Sequence, residues 1–350
     1  MIDYSKIILT GATGWLGSRL ALALTRGIKE LGAIGSGGKQ IKCLVKSGDN
    51  FDDLVDLGAD IIVGDITNLD DCRALLKDEE GCLLIHTAGI IHPKLFTSDF
   101  SRINVYGTKN LLNAAATFKA SRFLVISSNS PIGCNPSPEH LFTERSPFNP
   151  YMKYGKSKQV METFLQGAIN SKGYPEISII RPPWFYGPGQ PPRQTDFFRM
   201  IRDGKFPLMG DGLNKRSMGF IDNLVLGILL AAYSKKAAGE IYWIADERPY
   251  TMLEIVETVK NVMRNEFKIE VKENNLHVPS FISDFARIAD MLTQSAGLYN
   301  QKIHVLSEMN QTISCDISKA KSELGFQPIC SIDEGMRRSI DWCLKNNQEF

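Results

Sequence analysis

The run Thr10-Gly-Ala-Thr-Gly-Trp-Leu-Gly17 constrains this chain more than any other segment. It follows an apolar, β-branched stretch at Ile7–Leu9 and leads into Leu16, Leu20, Ala23 and Leu24 at helical spacing, so it is a strand-to-helix turn. Gly11, Gly14 and Gly17 stand three apart. Such a turn needs one residue without a Cβ. Close approach of the backbone to a pyrophosphate needs a second, and tight helix–strand packing a third. The helix that follows turns its free N–H groups and positive dipole end toward the phosphates. The spacing departs from G-x-G-x-x-G. A ligand-free glycine turn is the alternative reading, but the flanking strand and helix favour a dinucleotide site. Its candidate contacts are Gly11, Thr13, Gly14, Trp15, Leu16 and Gly17.

Short apolar strands alternate with longer helical patterns through the first 180 residues. The predicted strands are Ile7–Leu9, Ile41–Val45, Asp60–Val63, Cys82–His86, Arg122–Ser127 and Ile177–Ile180. This is how an α/β, Rossmann-type doubly wound parallel sheet is written. Residues 181–194 hold five prolines and two glycines and read as a functional loop. The expected division is a dinucleotide-binding domain at 1–180 and a smaller α+β substrate lobe at 181–350, with part of about 215–250 returning to the sheet. A final helix is predicted over Ser331–Lys345, opened by a capping box of Ser331 and Glu334. Gly32–Lys39 reads as a flexible solvent insert, since its residues do not complete a phosphate loop.

Composition narrows the partners. Forty basic and 39 acidic residues leave a net charge of +1, which argues against nucleic acid and a polybasic membrane surface. The longest apolar stretch, Leu224–Tyr233, is too short to span a bilayer. Seven scattered cysteines without a C-x-x-C suggest reduced thiols in the cytoplasm. The dispersed histidines predict no metal site.

Tyr154 and Lys158 lie four apart at the start of a predicted helix, on one face. A phenol with a pKa near ~10 is a poor base at neutral pH. A nearby ammonium, together with an oxidised nicotinamide, is expected to lower that value toward the working range. Ser128 follows the fifth strand, at the carboxyl end where such sheets bind ligands, and can orient a reacting oxygen. The second strand ends at Lys46, where NAD enzymes usually carry a carboxylate. Lys46, with Arg19 just past the glycine loop, leans the cofactor toward NADP over NAD.

In their order along the chain, these motifs resemble the extended short-chain dehydrogenase/reductase family, which holds nucleotide-sugar epimerases and dehydratases and 3β-hydroxysteroid-dehydrogenase-like enzymes. Gly64-Asp65-Ile66 is similar to the family's adenine-contacting segment. Thr87-Ala88-Gly89 and the run from Asn104 to Thr108 match its fourth-strand and following-helix motifs, and Arg181-Pro182 opens its nicotinamide-side loop. The resemblance implies Ser128, Tyr154 and Lys158 as catalytic residues. It implies Asp65, Ile66, Thr87, Ala88, Gly89, Asn104 and Pro182 as cofactor contacts, and Ser130, Trp184 and Arg216 as substrate contacts. The implied reaction is hydride transfer between NAD(P) and a secondary alcohol or ketone of a small molecule. A nucleotide-sugar epimerase or reductase comes first, with a hydroxysteroid or dihydroflavonol type dehydrogenase as the alternative. A non-catalytic NAD(P) sensor is a third reading. A homodimer through helices near Asn104–Phe118 and Tyr154–Ile169 is also implied. Two departures stand out. Asn129 and Ser130 occupy the positions of the dehydratases' Asp-Glu pair, and no second diphosphate-clamping arginine falls near His304–Met309.

Overall fold

The computed structural model describes residues 2–350. Seven strands, β1 (Ile7–Thr10), β2 (Ile41–Val45), β3 (Asp60–Val63), β4 (Leu83–His86), β5 (Arg122–Ile126), β6 (Glu176–Arg181) and β7 (Ile241–Trp243), pair in parallel in the order β7-β6-β5-β4-β1-β2-β3. The order reverses between β1 and β4. A crevice opens there at the carboxyl ends of the strands.

Period-two alternation assigns the two faces. Ile7, Leu9, Cys43, Ile85, Leu124 and Ile180 point toward α1 (Trp15–Thr25) and α7 (Ile221–Tyr233). Ile8, Leu44, Leu84, Phe123, Val125 and Ile179 point toward α3 (Leu69–Leu76), α4 (Thr108–Thr117) and α5 (Met152–Ala168). Here α2 is the single turn Asp52–Asp56. Leu224, Val225, Ile228 and Leu229 of α7 have no exposed area, and each such burial contributes about 1.5–3 kcal/mol. Among the described residues no helix is long and apolar enough to cross a membrane.

Beyond β6 the chain adds α6 (Pro192–Arg202), α8 (Met252–Asn265), α9 (Phe281–Ser295), α10 (Gln301–Glu308), α11 (Ser318–Leu324) and α12 (Ile332–Lys345). The Ser331 hydroxyl accepts the Glu334 N–H at the start of α12. The proline-rich run is less of a loop than its composition suggests. Trp184–Tyr186 pairs in parallel with Met218–Phe220 because three alternating side chains find a partner strand. One carboxylate ties the Trp184–Tyr186 and Met218–Phe220 strands to α7. Asp246 accepts the Phe220 N–H at 2.8 Å, the Asn223 amide at 2.7 Å and the Tyr186 hydroxyl at 2.9 Å.

The Gly32–Lys39 insert is folded back rather than loose. Ile28 donates to Gly35 at 2.8 Å, Gly38 to Thr25 at 2.6 Å and Lys39 to Leu24 at 2.9 Å, so its backbone closes the end of α1. A Cβ on Gly37 would stand 2.5 Å from the Gly27 nitrogen, which is why glycine occupies that crossing.

Candidate active site

At the end of β1, Gly11 has φ +76° and lies so close to the β4 loop that a Cβ would sit 2.5 Å from the Ala88 nitrogen. A Cβ on Gly17 would come within 2.0 Å of the Gly11 carbonyl. Gly14 is the N-cap of α1, with no side chain capping it and no acid in the first turn. The helix therefore offers bare N–H groups and the positive end of its dipole beside a backbone crossing that side chains would fill. That arrangement fits the pyrophosphate of a dinucleotide.

The neighbouring residues divide into those facing the cradle and those supporting it. Thr13 donates its hydroxyl to Asp49 at 2.8 Å, bringing a carboxylate to the glycine loop from outside β2. Lys46 faces Asp65 at 3.7 Å, while Ile66 is buried under Gly107. Trp15 leans over the loop after β6, donating to the Pro188 carbonyl at 2.7 Å and packing 4.8 Å from the Phe185 ring. Leu16 is core. Thr87 anchors the β4 loop, donating its hydroxyl to the Thr10 carbonyl at 2.8 Å. Pro182 is buried directly beyond β6.

Two expectations change here. Asn104 was expected to contact the cofactor, but its amide serves the protein. It accepts from the Ile90 N–H at 2.8 Å and donates to the Ile90 carbonyl and Ser157 hydroxyl at 3.0 and 3.1 Å. Complete burial forces that pairing. Arg19 is likewise engaged, forming a two-pronged contact with Asp222 at 2.6 and 2.8 Å that joins α1 to α7.

The catalytic candidates converge at the carboxyl end of β5. Gly155 permits this: a Cβ there would meet the Ser130 carbonyl at 2.5 Å, so only glycine lets α5 approach the β5 loop. Tyr154 and Lys158 are both buried in the crevice wall. Burial drives the Tyr154 phenol up to about 12, opposed by a hydrogen bond from Ser128 and reinforced by the charge of Glu308. Burial brings Lys158 down to about 8 against the pull of Glu162. Among the chain's own groups it is Ser128, not Lys158, that lowers the phenol. The ammonium donates to the Ile126 carbonyl at 3.0 Å and stands near Gly89, where a Cβ would be 3.6 Å away. That position suits a ribose hydroxyl.

Three groups escaped the sequence. Glu162, four residues beyond Lys158, accepts from Ser127 and from Arg181 at 2.6 Å in a fully buried ion pair. The i, i+4 spacing was its only trace. His86 bridges Thr10 at 2.7 Å and Thr108 at 2.9 Å, and burial, with the Lys158 charge, lowers it to about 3. Glu308, the last residue of α10, lies close enough for its charge to act on the Tyr154 phenol.

Of the substrate candidates, Ser130 packs beside Ser128 at 3.3 Å. Arg216 donates to the Glu308 carbonyl and leaves its buried Nε unpartnered. Trp184 packs edge-on against Phe197 at 5.3 Å and joins the aromatic core with Phe198 and Phe206 rather than Ser128 and Tyr154. An indole of this size is placed by burial, not by the loop's composition.

With this geometry in hand, the model of the NAD dependent epimerase/dehydratase family matches residues 7–245. The chain belongs to that family. A protein of Sinorhizobium fredii, y4nL, is 49% identical over 344 residues, covering 98% of this chain and 96% of its own. The UDP-glucose 4-epimerase of Vibrio cholerae is 26% identical over 355 residues, covering 98% and 96%. Among solved structures, dTDP-glucose 4,6-dehydratase from Bacillus anthracis in complex with NAD superposes with a TM-score of 0.74 at 18% identity, covering 99% of this chain and 98% of that one. UDP-glucose 4-epimerase of Thermotoga maritima with UDP-glucose gives 0.73 at 19%, covering 98% and 99%. This epimerase/dehydratase chain therefore has the Rossmann-type sheet of those enzymes and NAD(P) as its class of cofactor.

Proposed function

We propose that the protein is an NAD(P)-dependent enzyme that moves hydride at a secondary alcohol or ketone carbon of a nucleotide sugar, as an epimerase or reductase. The observation that carries this reading is the convergence of Ser128, Tyr154 and Lys158 on the crevice beside the glycine cradle. When bound, the dinucleotide supplies a hydride acceptor or donor. The chain's residues do the rest. Ser128 holds the substrate oxygen, Tyr154 takes or gives its proton, and Lys158 holds a ribose hydroxyl while keeping positive charge near the reacting centre. Asn129 and Ser130 offer no acid–base pair for eliminating water, which favours epimerisation or reduction. Arg216 is the candidate for the substrate diphosphate, its buried Nε free to donate.

Lys46 supports NADP, since its exposed ammonium stands at the end of β2 where a 2′-phosphate would lie. A homodimer through the α4 region and α5 is supported by Tyr106 and Val160, which are exposed there.

The test is incubation of purified protein with UDP-glucose or dTDP-glucose and either dinucleotide. Reduced nicotinamide is followed by absorbance and the product sugars by NMR, since an epimerase recycles its hydride. Conversion that disappears in Tyr154→Phe supports the reading. Dinucleotide binding without conversion, and biological activity unchanged by Tyr154→Phe, would favour a sensor.

A further inference from the structure

The second lobe carries a polar chain that the hydride reaction does not use. Asp290 on α9 is fully buried and holds the His304 Nδ1 at 2.7 Å. On the other side of the ring, His304 Nε2 stands 3.8 Å from Glu308 Oε1, one turn along α10. The Glu308 side chain retains 26% exposure, so the chain runs from the interior to a carboxylate that solvent reaches. Its register against Tyr154 is fixed. Gln294 of α9 donates to Asp290 at 2.8 Å and accepts the Lys153 N–H at 3.0 Å, at the residue just before Tyr154. The Phe100 ring lies 5.7 Å from both Tyr154 and Tyr299, and Tyr299 lies 5.5 Å from His304.

We propose that Glu308, backed by His304 and Asp290, is a second proton-transfer group of this site, acting on the carbon next to the one whose oxygen Tyr154 serves. This rests on the hydride-transfer reading, because oxidation to a ketone, with the nicotinamide as oxidant, is what makes the adjoining C–H acidic. The substrate class is then a keto sugar with a removable proton beside the carbonyl. In the step itself, that C–H bond breaks and its electron pair passes through the carbon skeleton to the ketone oxygen, which Tyr154 and Ser128 hold by hydrogen bonds. The proton goes to the Glu308 carboxylate. Return of a proton from Glu308 to the same carbon restores the ketone, with no net oxidation or reduction.

Three features suit this role. Asn129 and Ser130 leave the β5 loop without an acid or base, so a carboxylate arriving from the opposite lobe fills a gap in the chemistry. Its charge already acts on the Tyr154 phenol, which puts the two groups in one field. Burial opposes charge on His304, yet the Asp290 hydrogen bond and the Glu308 and Asp290 charges raise it above the ordinary histidine value. It is faced by Asp290 from α9, Glu308 from its own helix, Tyr151 from the start of α5, Tyr299 from the preceding loop and His92 from the β4 loop. A histidine held between two carboxylates can take the proton from Glu308 or return it.

The probe is dTDP-4-keto-6-deoxyglucose in deuterated buffer, which bypasses the hydride step. Deuterium entering at the carbons beside the ketone is followed by proton NMR. The intact protein is expected to exchange these protons, and Glu308→Gln to slow exchange by about 10²-fold or more. His304→Gln should slow it about tenfold and remove the His304 limb from the pH profile. Tyr154→Phe removes one of the two hydrogen bonds to the ketone oxygen. It should lose hydride transfer altogether while keeping a slowed exchange, through Ser128, that still exceeds the rate in buffer. This separates the proposal from the one it builds on. Equal rates for the intact protein and a folded Glu308→Gln overturn the relay, as does exchange no faster than in buffer alone. Glu308 is part-exposed and the replacement isosteric, so folding is retained. His304→Gln provides the second, independent variant.

Discussion

Lys158 donates its ammonium to the Ile126 carbonyl at 3.0 Å, while Tyr154, one turn earlier on the same helix, takes its phenolate-stabilising contact from Ser128. The two side chains are thus held by different partners. In the proposed reaction the lysine serves the ribose and the tyrosine, with the serine, the substrate oxygen.

The buried ammonium carries a stability cost. With Lys158 near 8 in the folded protein and near ~10.4 unfolded, the unfolded chain binds the extra proton between those values. Stability therefore rises as pH increases through that window and the cost is fully present below it. Lys158→Met is expected to raise the melting temperature at neutral pH and to flatten this alkaline rise, while abolishing turnover. Thermal melts from pH 7 to 11 check it. A variant less stable than the parent at pH 7 contradicts it.

The Ser128 hydroxyl stabilises the ionised form of Tyr154. Ser128→Ala should therefore push the phenol above its present value of about 12. In the alcohol-oxidising direction the rate of the parent should climb with pH toward that value. The variant's profile should move to higher pH, with kcat at pH 8 about 10²-fold lower. A pH–rate series on both proteins reads this directly, and an unshifted profile removes Ser128 from the proton-handling step.

Glu162 and Arg181 form an ion pair with almost no exposure, and Ser127 donates to the same carboxylate. Removing one partner strands the other charge in the interior. Glu162→Gln should destabilise the fold by about 3–5 kcal/mol. Guanidinium unfolding provides the measurement. Because the pair underlies the β5 loop, kcat should fall as well, even at temperatures where the variant is folded.

Met152 opens α5 with φ +51°, a left-handed conformation unfavourable for a side chain with a Cβ. Met152→Gly should be neutral or stabilising by up to about 1 kcal/mol. Met152→Val, β-branched at the same angle, should destabilise by more than the loss of its volume predicts. Paired chemical denaturation of the two variants decides the matter.

Much of the frame was legible in the chain because its signals are local. Six strands fall within a residue or so of their predicted ends, since each is a short apolar run bounded by turn formers. The glycine loop was legible for a steric reason, as the clashes a Cβ would make at Gly11 and Gly17 show. Asn104 and Arg19 misled because a polar side chain beside a cofactor motif looks the same whether it faces ligand or protein. Burial decided between the two. The Gly32–Lys39 insert misled in the opposite sense, its glycines serving close backbone crossings rather than looseness.

By itself the sequence determined the parallel sheet, the phosphate-facing turn and the serine, tyrosine and lysine of the crevice, because each follows from spacing along a single strand or helix. Only the tertiary structure decided where charge lies around the phenol. Glu308 and Tyr154 are 154 positions apart in the chain and interact in the fold. The Ile126 carbonyl takes the ammonium that helical spacing alone assigned to the tyrosine. Electrostatic effects depend on distance through space and on burial, and neither is encoded by proximity along a chain.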